Sequence, residues 1–156
     1  MPEIDICFTP EVVNLFDFKN KNVVVIDIFR ATTTMVAGLA SGLDKIIPVS
    51  KLEECLAYPE ANNIIKAAER GGQKVDGFAY GNSPYDYIDN DVKGKTLIMT
   101  TTNGTKAINL SREASNVIIG SFINISTVCN FLVEDGRDVV MFCAGWKGNY
   151  NLEDSL

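Results

Sequence analysis

The sequence predicts a single α/β domain over residues 1–156, in which a largely parallel sheet carries helices on both faces and so forms three layers. Short apolar runs rich in β-branched residues alternate with segments of helical periodicity, and such alternation is typical of βαβ units with right-handed crossovers. The chain of 156 residues is 46% hydrophobic and 22% charged, which is enough for one domain to bury a sizeable core.

The first half of the chain carries three predicted strands, over residues 3–8, 23–28 and 45–49. The middle strand passes into a helix that begins at about Thr33, and Gly42 should end this helix because glycine accepts the left-handed conformation common after helices. Pro48 lacks an amide hydrogen, so the third strand is expected at the edge of a sheet.

A second helix is predicted to begin at the capping-box sequence SKLE (50–53). Pro59 should break this helix, and apolar residues at helical spacing predict that it resumes over 61–70. Residues 71–95 are rich in glycine, tyrosine and acids. A connection of this length inside a compact domain is typical of a functional loop, and its aromatic residues predict that it is ordered.

The second half of the chain repeats the alternation more regularly. Strands are predicted over residues 96–101, 116–120 and 138–145. Helices are predicted over residues 103–114, with Asn103 as the N-cap, and 124–134. A further helix should begin in the last segment, GWKGNYNLEDSL. Because the alternation stops there, we expect the chain to be a truncated piece of a longer protein.

Composition excludes several classes of function. A net charge of −6 with scattered basic residues argues against nucleic-acid binding, which needs a clustered basic face. No apolar run approaches membrane-spanning length, and the first residues show no secretory signal. The four cysteines match no CxxC pattern and are expected to be buried thiols of a cytoplasmic protein. The absence of histidine leaves oxygen ligands, which favour Mg²⁺, Mn²⁺ or Ca²⁺ over zinc.

Polar side chains cluster where the strand at 23–28 passes into its helix. An acid, a cation and three hydroxyls meet there: Asp27, Arg30, Thr32, Thr33 and Thr34. Ligands bind outside the carboxyl ends of parallel strands, and helix N-termini favour anions. Helix capping is the alternative explanation for the acid and the threonines, but capping gives no reason for Arg30 at the positive end of a helix dipole.

Later strand ends carry residues of the same kinds. The segment TTTNGT (100–105), followed by Lys106, could cradle phosphate with hydroxyls and N–H groups, although Asn-Gly also favours a plain turn. The next two strand ends carry Ser121 and Asn124, and then Gly145, Gly148, Glu153 and Asp154. Because the carboxyl ends of parallel strands lie on one edge of a sheet, these residues predict a pocket for an anion and a divalent metal.

Several segments together resemble the 2-phosphosulfolactate phosphatase family, in the order of the family and over most of the chain. They are VVVIDIFRATTT (23–34), ERGG (69–72), GFAYGNSP (77–84), TTTNGT (100–105), GSFIN (120–124), CAGWKG (143–148) and LED (152–154). The resemblance implies an α/β fold unlike the common phosphatase folds. It also implies a Mg²⁺-dependent acid phosphatase that hydrolyses 2-phosphosulfolactate to sulfolactate and phosphate in coenzyme M synthesis.

On this resemblance Asp27 and Arg30 are the expected catalytic residues, and Mg²⁺ is expected on Asp27 with Glu153 or Asp154. The residues expected to bind substrate are Thr32, Thr33, Asn82, Ser83, Thr102, Asn103, Gly104, Thr105 and Lys106. Whether Asp27 attacks phosphorus or only holds the metal stays open. The sulfonate of the substrate needs its own cation, for which the candidates are Lys106, Arg70 and Lys147.

Other functions stay open from the sequence. The chain could be a non-catalytic phosphate- or sulfonate-binding domain or an inactive fragment, or it could be a phosphatase of the same fold acting on another organophosphate. In each case the expected partner is a small-molecule organophosphate or related anion, with no nucleic acid and no membrane. Apolar surface exposed by a missing segment could also drive association into a homo-oligomer.

Overall fold

A computed structural model describes residues 2–88 and 90–156 and confirms the α/β class with largely parallel strands. The strands are β1 (Ile4–Cys7), β2 (Asn22–Ile26), β3 (Lys45–Pro48), β4 (Ile64–Arg70), β5 (Gln73–Lys74), β6 (Thr96–Thr100), β7 (Asn116–Gly120) and β8 (Val139–Cys143). The α-helices are α1 (Ala31–Ala40), α2 (Leu52–Ala57), α3 (Tyr85–Ile88), α4 (Gly104–Leu110), α5 (Ile125–Asp135) and α6 (Leu152–Ser155). Short 3₁₀ helices span Pro10–Leu15 and Phe122–Asn124.

Within this described part of the chain, the strands form two sheets. The first sheet has the order β1-β8-β2-β7, and all its pairs are parallel. The second sheet has the order β3-β6-β4-β5, in which β4 and β5 pair antiparallel and the other pairs are parallel. The sequence pattern predicts the parallel strands, but it contains no sign that they are shared between two sheets.

Helices α1 and α4 connect the cores of the two sheets. Ala107 of α4 belongs to the apolar cluster of the first sheet, which includes Phe142 of β8. Met35 of α1 belongs to the cluster of the second sheet, which includes Leu97 of β6. Ile108 of α4 packs against both clusters. The N-termini of α1 and α4 therefore lie near the carboxyl ends of strands from both sheets.

The helix predicted over 61–70 is wrong, because this segment forms β4. Ile64 to Ala68 pair with β6 on one side, and Glu69 and Arg70 pair with β5 on the other. An apolar run of a few residues has no periodicity that separates a buried strand from a helix, so partners distant in sequence decide the outcome. The correction also moves Glu69 and Arg70 from a helix to the carboxyl end of a strand.

Other predictions of local structure are confirmed with small changes. Strand β3, which contains Pro48, lies at an edge of the second sheet. Helix α2 begins after Ser50 as expected, but the amide of Ser50 bonds Glu54 rather than the predicted capping-box acid Glu53, at 3.1 Å. Helix α4 ends at Leu110, so the helix predicted over 103–114 is too long.

The connection over 71–95 is ordered wherever it is described, as expected. Tyr87 of α3 is fully buried, its hydroxyl donates to the Gly81 carbonyl at 2.9 Å, and its ring stacks on Tyr80. Asp89 of this connection, like Met1, lies outside the described residues.

Two findings bear on the predictions made from composition. Cys7, Cys55 and Cys143 are buried free thiols as predicted, whereas Cys129 on α5 is an exposed one. Across residues 2–88 and 90–156, the helices are all too short or too polar to cross a bilayer.

Candidate functional site

The candidate site lies where the carboxyl ends of β2 and β8 meet those of β4 and β6. At this point the start of α4 touches the turn between β2 and α1. A Cβ atom built on Gly104 would lie 2.5 Å from the Ala31 Cβ and 2.8 Å from Asp27 Oδ2. No side chain fits in this gap, and glycine therefore allows α4 to approach the Asp27 carboxylate directly.

Asp27 is the buried acid at the centre of the site. It is 6% exposed, and its Oδ1 accepts the Ala31 amide at 3.1 Å. Burial raises its pKa to about 7, and the negative charges of Asp154 and Glu69 add to the increase. Hydrogen bonds from the Ala31 and Gly104 amides act in the opposite direction. A carboxyl group with this pKa can exchange a proton near neutral pH.

Asp154 is the second buried acid near Asp27. Its Oδ1 accepts the Ile28 amide at 2.9 Å and its Oδ2 accepts the Gly145 amide at 3.1 Å. These bonds fasten α6 to the ends of β2 and β8. Burial raises the pKa of Asp154 as well. Glu153, by contrast, has an exposed side chain beside an apolar groove that Phe122 also lines.

Arg30 connects the first sheet's side of the site to the second sheet's side. Its Nη2 donates to the Gly72 carbonyl at 2.9 Å, and its side chain is partly buried. Arg30 occupies the N-cap position of α1 without capping it through its side chain. The peptide bond between Phe29 and Arg30 is cis. Because a guanidinium has five N–H donors, the bond to Gly72 leaves others that can face an anion.

The threonines predicted to bind substrate hold the turns. The Thr32 hydroxyl donates to the Asp27 carbonyl at 2.8 Å, and the Thr33 hydroxyl donates to the Ile28 carbonyl at 2.9 Å. The Thr105 hydroxyl likewise donates to the Thr101 carbonyl at 2.9 Å. The local role that capping suggested therefore accounts for these hydroxyls.

Glu69 is a residue of the site to which the sequence analysis assigned no role. It is 4% exposed, its Oε2 accepts the Thr102 amide at 3.0 Å, and its Oε1 accepts the Thr102 hydroxyl at 2.9 Å and the Gly72 amide at 2.6 Å. The signal in the sequence was the acid directly before Arg-Gly-Gly in ERGG. The incorrect helix prediction over 61–70 concealed its place at a strand end.

The remaining predicted residues divide into two groups. Asn103 lies in the site, where its Oδ1 accepts the Lys147 amide at 3.1 Å instead of capping α4. Asn82 is buried near the start of α3, and its Oδ1 has no hydrogen-bond partner among the described residues. Lys106 is exposed. Over 2–88 and 90–156, no hydrogen bond links Asn82, Ser83 or Lys106 to Asp27 or Arg30.

The other strand-end residues have local partners. Asn124 Oδ1 accepts the Ser121 amide at 2.9 Å, so this pair closes the turn before α5. Arg70, a candidate for the sulfonate, donates to the Thr100 hydroxyl at 3.0 Å and to the Glu69 carbonyl at 2.6 Å. Gly145 has a φ of +64° and lies against the Asn149 carbonyl, where a side chain could not fit.

The chemistry of the donors bears on whether a metal would fit. Among the described residues, no three cysteine, aspartate or glutamate side chains are grouped closely enough to hold an ion together. Mg²⁺ does not require such a cage, because it commonly keeps several waters and binds one or two carboxylates together with substrate phosphate. Asp27 and Asp154 fit this manner of binding, because the Asp154 carboxylate accepts the amide of Ile28, the residue directly after Asp27.

The chain matches one known protein family over almost its whole length. The sequence profile described as 2-phosphosulpholactate phosphatase matches residues 7–156. A protein of Caldanaerobacter subterraneus subsp. tengcongensis named "Probable 2-phosphosulfolactate phosphatase" is 41% identical over 147 residues, 92% of this chain and 61% of the relative. Its namesake in Clostridium acetobutylicum is 40% identical over 156 residues, 99% of this chain and 66% of the relative. This chain thus spans somewhat less than two thirds of the length of these relatives.

Proposed function

This chain belongs to the 2-phosphosulpholactate phosphatase family, and on that premise we propose that it is a Mg²⁺-dependent phosphomonoester hydrolase. Its proposed reaction converts 2-phosphosulfolactate to sulfolactate and phosphate, as a cytoplasmic step of coenzyme M synthesis. The names of the relatives support this substrate, and the family supports hydrolysis of a phosphoric monoester.

The observation that carries the proposal is the position of Asp27. This carboxylate is buried, it directly faces the start of α4 across Gly104, and Arg30 follows it in the same turn. An acid with a raised pKa beside a guanidinium suits a phosphoryl group, because the guanidinium can bind the phosphoryl oxygens while the acid takes part in the chemistry. A purely structural turn has no need of this combination.

Each residue has a definite task in the proposed reaction. Arg30 binds phosphoryl oxygens with the N–H groups that Gly72 does not use. Asp27 either attacks phosphorus, which expels the sulfolactate oxygen as the leaving group, or serves only as a metal ligand. Positioning and electrostatic stabilisation supply most of the rate in phosphoryl transfer, which is consistent with the absence of histidine.

Mg²⁺ would be held by Asp27 and Asp154, with water and substrate completing its coordination. The chemistry it supplies when bound is neutralisation of charge on the phosphoryl oxygens. Glu153 is the weaker candidate of the two neighbouring acids, since its side chain is exposed and Asp154 is the one whose charge acts on Asp27. The substrate proposed is a small organophosphate.

Association of two or more copies stays a separate proposal, supported by exposed apolar residues such as Ile4 and Ile6 on β1.

The test is phosphate release by the purified chain from 2-phosphosulfolactate, with and without Mg²⁺ and after chelation. Asp27→Asn should lower kcat by about 10³-fold or more, and Arg30→Ala by about 10²-fold, while Glu53→Gln on the exposed face of α2 should match the parent. Capture of a phospho-aspartyl species would assign Asp27 as the nucleophile rather than as a metal ligand alone.

The same assay separates the alternatives. Binding of inorganic phosphate without turnover in Mg²⁺ would replace the proposal with a non-catalytic anion-binding domain. Faster hydrolysis of another organophosphate would keep the mechanism and reject the substrate. Turnover by Asp27→Asn close to that of the parent would reject both roles given to Asp27.

A further inference from the structure

We propose that Glu69 is a positioning residue for Arg30 and acts on it through the backbone of Gly72. The inference rests on the proposed function, in which Arg30 binds the phosphoryl group. Glu69 does not itself touch the substrate in this scheme. Its task is to fix the position and orientation of the Gly72 carbonyl, which accepts a hydrogen bond from the Arg30 guanidinium.

The geometry forms a short relay across one glycine. Glu69 Oε1 accepts the Gly72 amide at 2.6 Å, and the carbonyl of the same residue accepts Arg30 Nη2 at 2.9 Å. Gly72 has a φ of +86°, and Gly71 before it has a φ of +59°. Left-handed conformations at two successive residues are readily adopted only by glycine, so this pair lets the chain turn back toward its own Glu69.

The carboxylate of Glu69 is itself held in place by Thr102. Both the amide and the hydroxyl of Thr102 donate to it, at 3.0 and 2.9 Å, and the hydroxyl also accepts the Gly71 amide at 3.1 Å. Glu69 is therefore bonded on one side to the turn after β6 and on the other to the loop after β4. Its position leaves little freedom for Gly72 to move independently of the 100–105 turn.

The burial of the Glu69 carboxylate is unfavourable for a residue with a purely structural role. Glu69 is 4% exposed, and none of the ion pairs within residues 2–88 and 90–156 includes it. Burying a carboxylate without a cation costs free energy that only several hydrogen bonds can offset. One of the residues that donate to Glu69, Gly72, also accepts a hydrogen bond from the guanidinium of Arg30, and this link distinguishes Glu69 from a purely structural acid.

Glu69→Gln is a sharp variant because it keeps the volume of the side chain. An amide offers one acceptor oxygen, so either the Gly72 amide or the Thr102 amide would then face an NH₂ group. We expect a loss of about 10- to 100-fold in kcat/KM, the range for one hydrogen bond to a charged group. Glu53→Gln is the matched control.

A double-mutant cycle tests whether this loss passes through Arg30. If Glu69 acts only by positioning Arg30, Arg30→Ala with Glu69→Gln should match Arg30→Ala alone within about threefold. Losses that multiply would overturn the proposal. If Glu69→Gln does not fold, Thr102→Val removes one anchor of the carboxylate and should show the same non-additivity with Arg30→Ala.

A second measurement is independent of turnover. NMR should show hindered rotation of the Arg30 guanidinium and a protected Gly72 amide in the parent. Glu69→Gln should release both, with amide exchange at Gly72 faster by about tenfold or more, while the Thr32 amide, which donates to the Asp27 carbonyl at 3.0 Å, stays protected. Unchanged Arg30 and Gly72 signals in folded Glu69→Gln would overturn the proposal. A parent with these signals but without turnover would count against the proposed function alone.

Discussion

The turn after β2 and the turn after β6 are built in the same way but carry different groups. In each turn, the first residue (Asp27 or Thr101) donates its amide to a threonine hydroxyl at the start of the following helix. The distance is 3.0 Å from the Asp27 amide to the Thr32 hydroxyl and 3.1 Å from the Thr101 amide to the Thr105 hydroxyl. In each, that first residue uses its own side chain to accept a helix amide, at 3.1 Å.

The difference lies in the first residue. Thr101 does with a hydroxyl what Asp27 does with a carboxylate, and the two residues are similarly buried at 3% and 6% exposed. Because a neutral group satisfies the helix amide in one turn, the turn itself does not require the charge in the other. The cost of burying Asp27, visible in its raised pKa, therefore points to chemistry rather than to folding.

The largest effect should come from the charge of Asp27. Its pKa of about 7 in the folded protein lies above its ordinary value of 3.8, so the folded state holds the proton more tightly. Its stabilising contribution is complete below about pH 3.8 and is lost as the pH rises through about 7, with a total of about 4 kcal/mol. Urea unfolding between pH 4 and 8 without divalent metal measures this loss.

Asp27→Asn removes the charge and keeps an acceptor for the Ala31 amide, while its NH₂ group replaces the oxygen that accepts the Gly104 amide. The variant should lack the part of the pH dependence that belongs to Asp27, so its stability relative to the parent should rise between pH 4 and pH 8. If the free energy of unfolding of the two proteins changes with pH in parallel, the charge of Asp27 adds no pH-dependent cost, and the carboxylate behaves like the neutral Thr101 side chain in its own turn.

The next effect concerns the contact between the two turns. Gly104→Ala places a methyl group 2.5 Å from the Ala31 Cβ and should lower the free energy of unfolding by about 3 kcal/mol, because both atoms belong to helix starts that cannot easily separate. Gly94 is the control: nothing lies within 4 Å of its Cβ position and its φ is +71°, so Gly94→Ala should cost only about 1 kcal/mol. Equal costs in thermal or urea unfolding would show that the turns are not tightly packed.

The smallest effect should come from the hydroxyls that close the turns. Thr32→Val and Thr105→Val keep the shape of the side chain and remove its hydrogen bonds to the backbone, and each should cost about 2 kcal/mol. Similar losses in urea unfolding would confirm that the turns are alike. A much larger loss of phosphatase activity for one variant than its stability explains would reveal a hydroxyl that also contacts substrate.

Local pattern predicted much of this protein. The apolar run before Asp27, the glycine after α1 and the proline of β3 each depend on neighbouring residues, and the structure predicted from them was confirmed. The segment 61–70 failed because its pairing with β6 and β5 depends on residues far away in the chain. Asn103 shows the same limit, since its side chain bonds Lys147 rather than its own helix.

The sequence by itself determined that acids, a cation and hydroxyls follow the strands, because the ends of strands and the starts of helices depend mainly on residues close together in the chain. Only the tertiary structure decided which of them meet. It brought Asp27 against Gly104, tied Arg30 to Gly72 and added Glu69, while the hydroxyls of Thr32 and Thr105 were taken up by their own turns. Contacts of this kind join two sheets across long stretches of chain, and no local pattern records them.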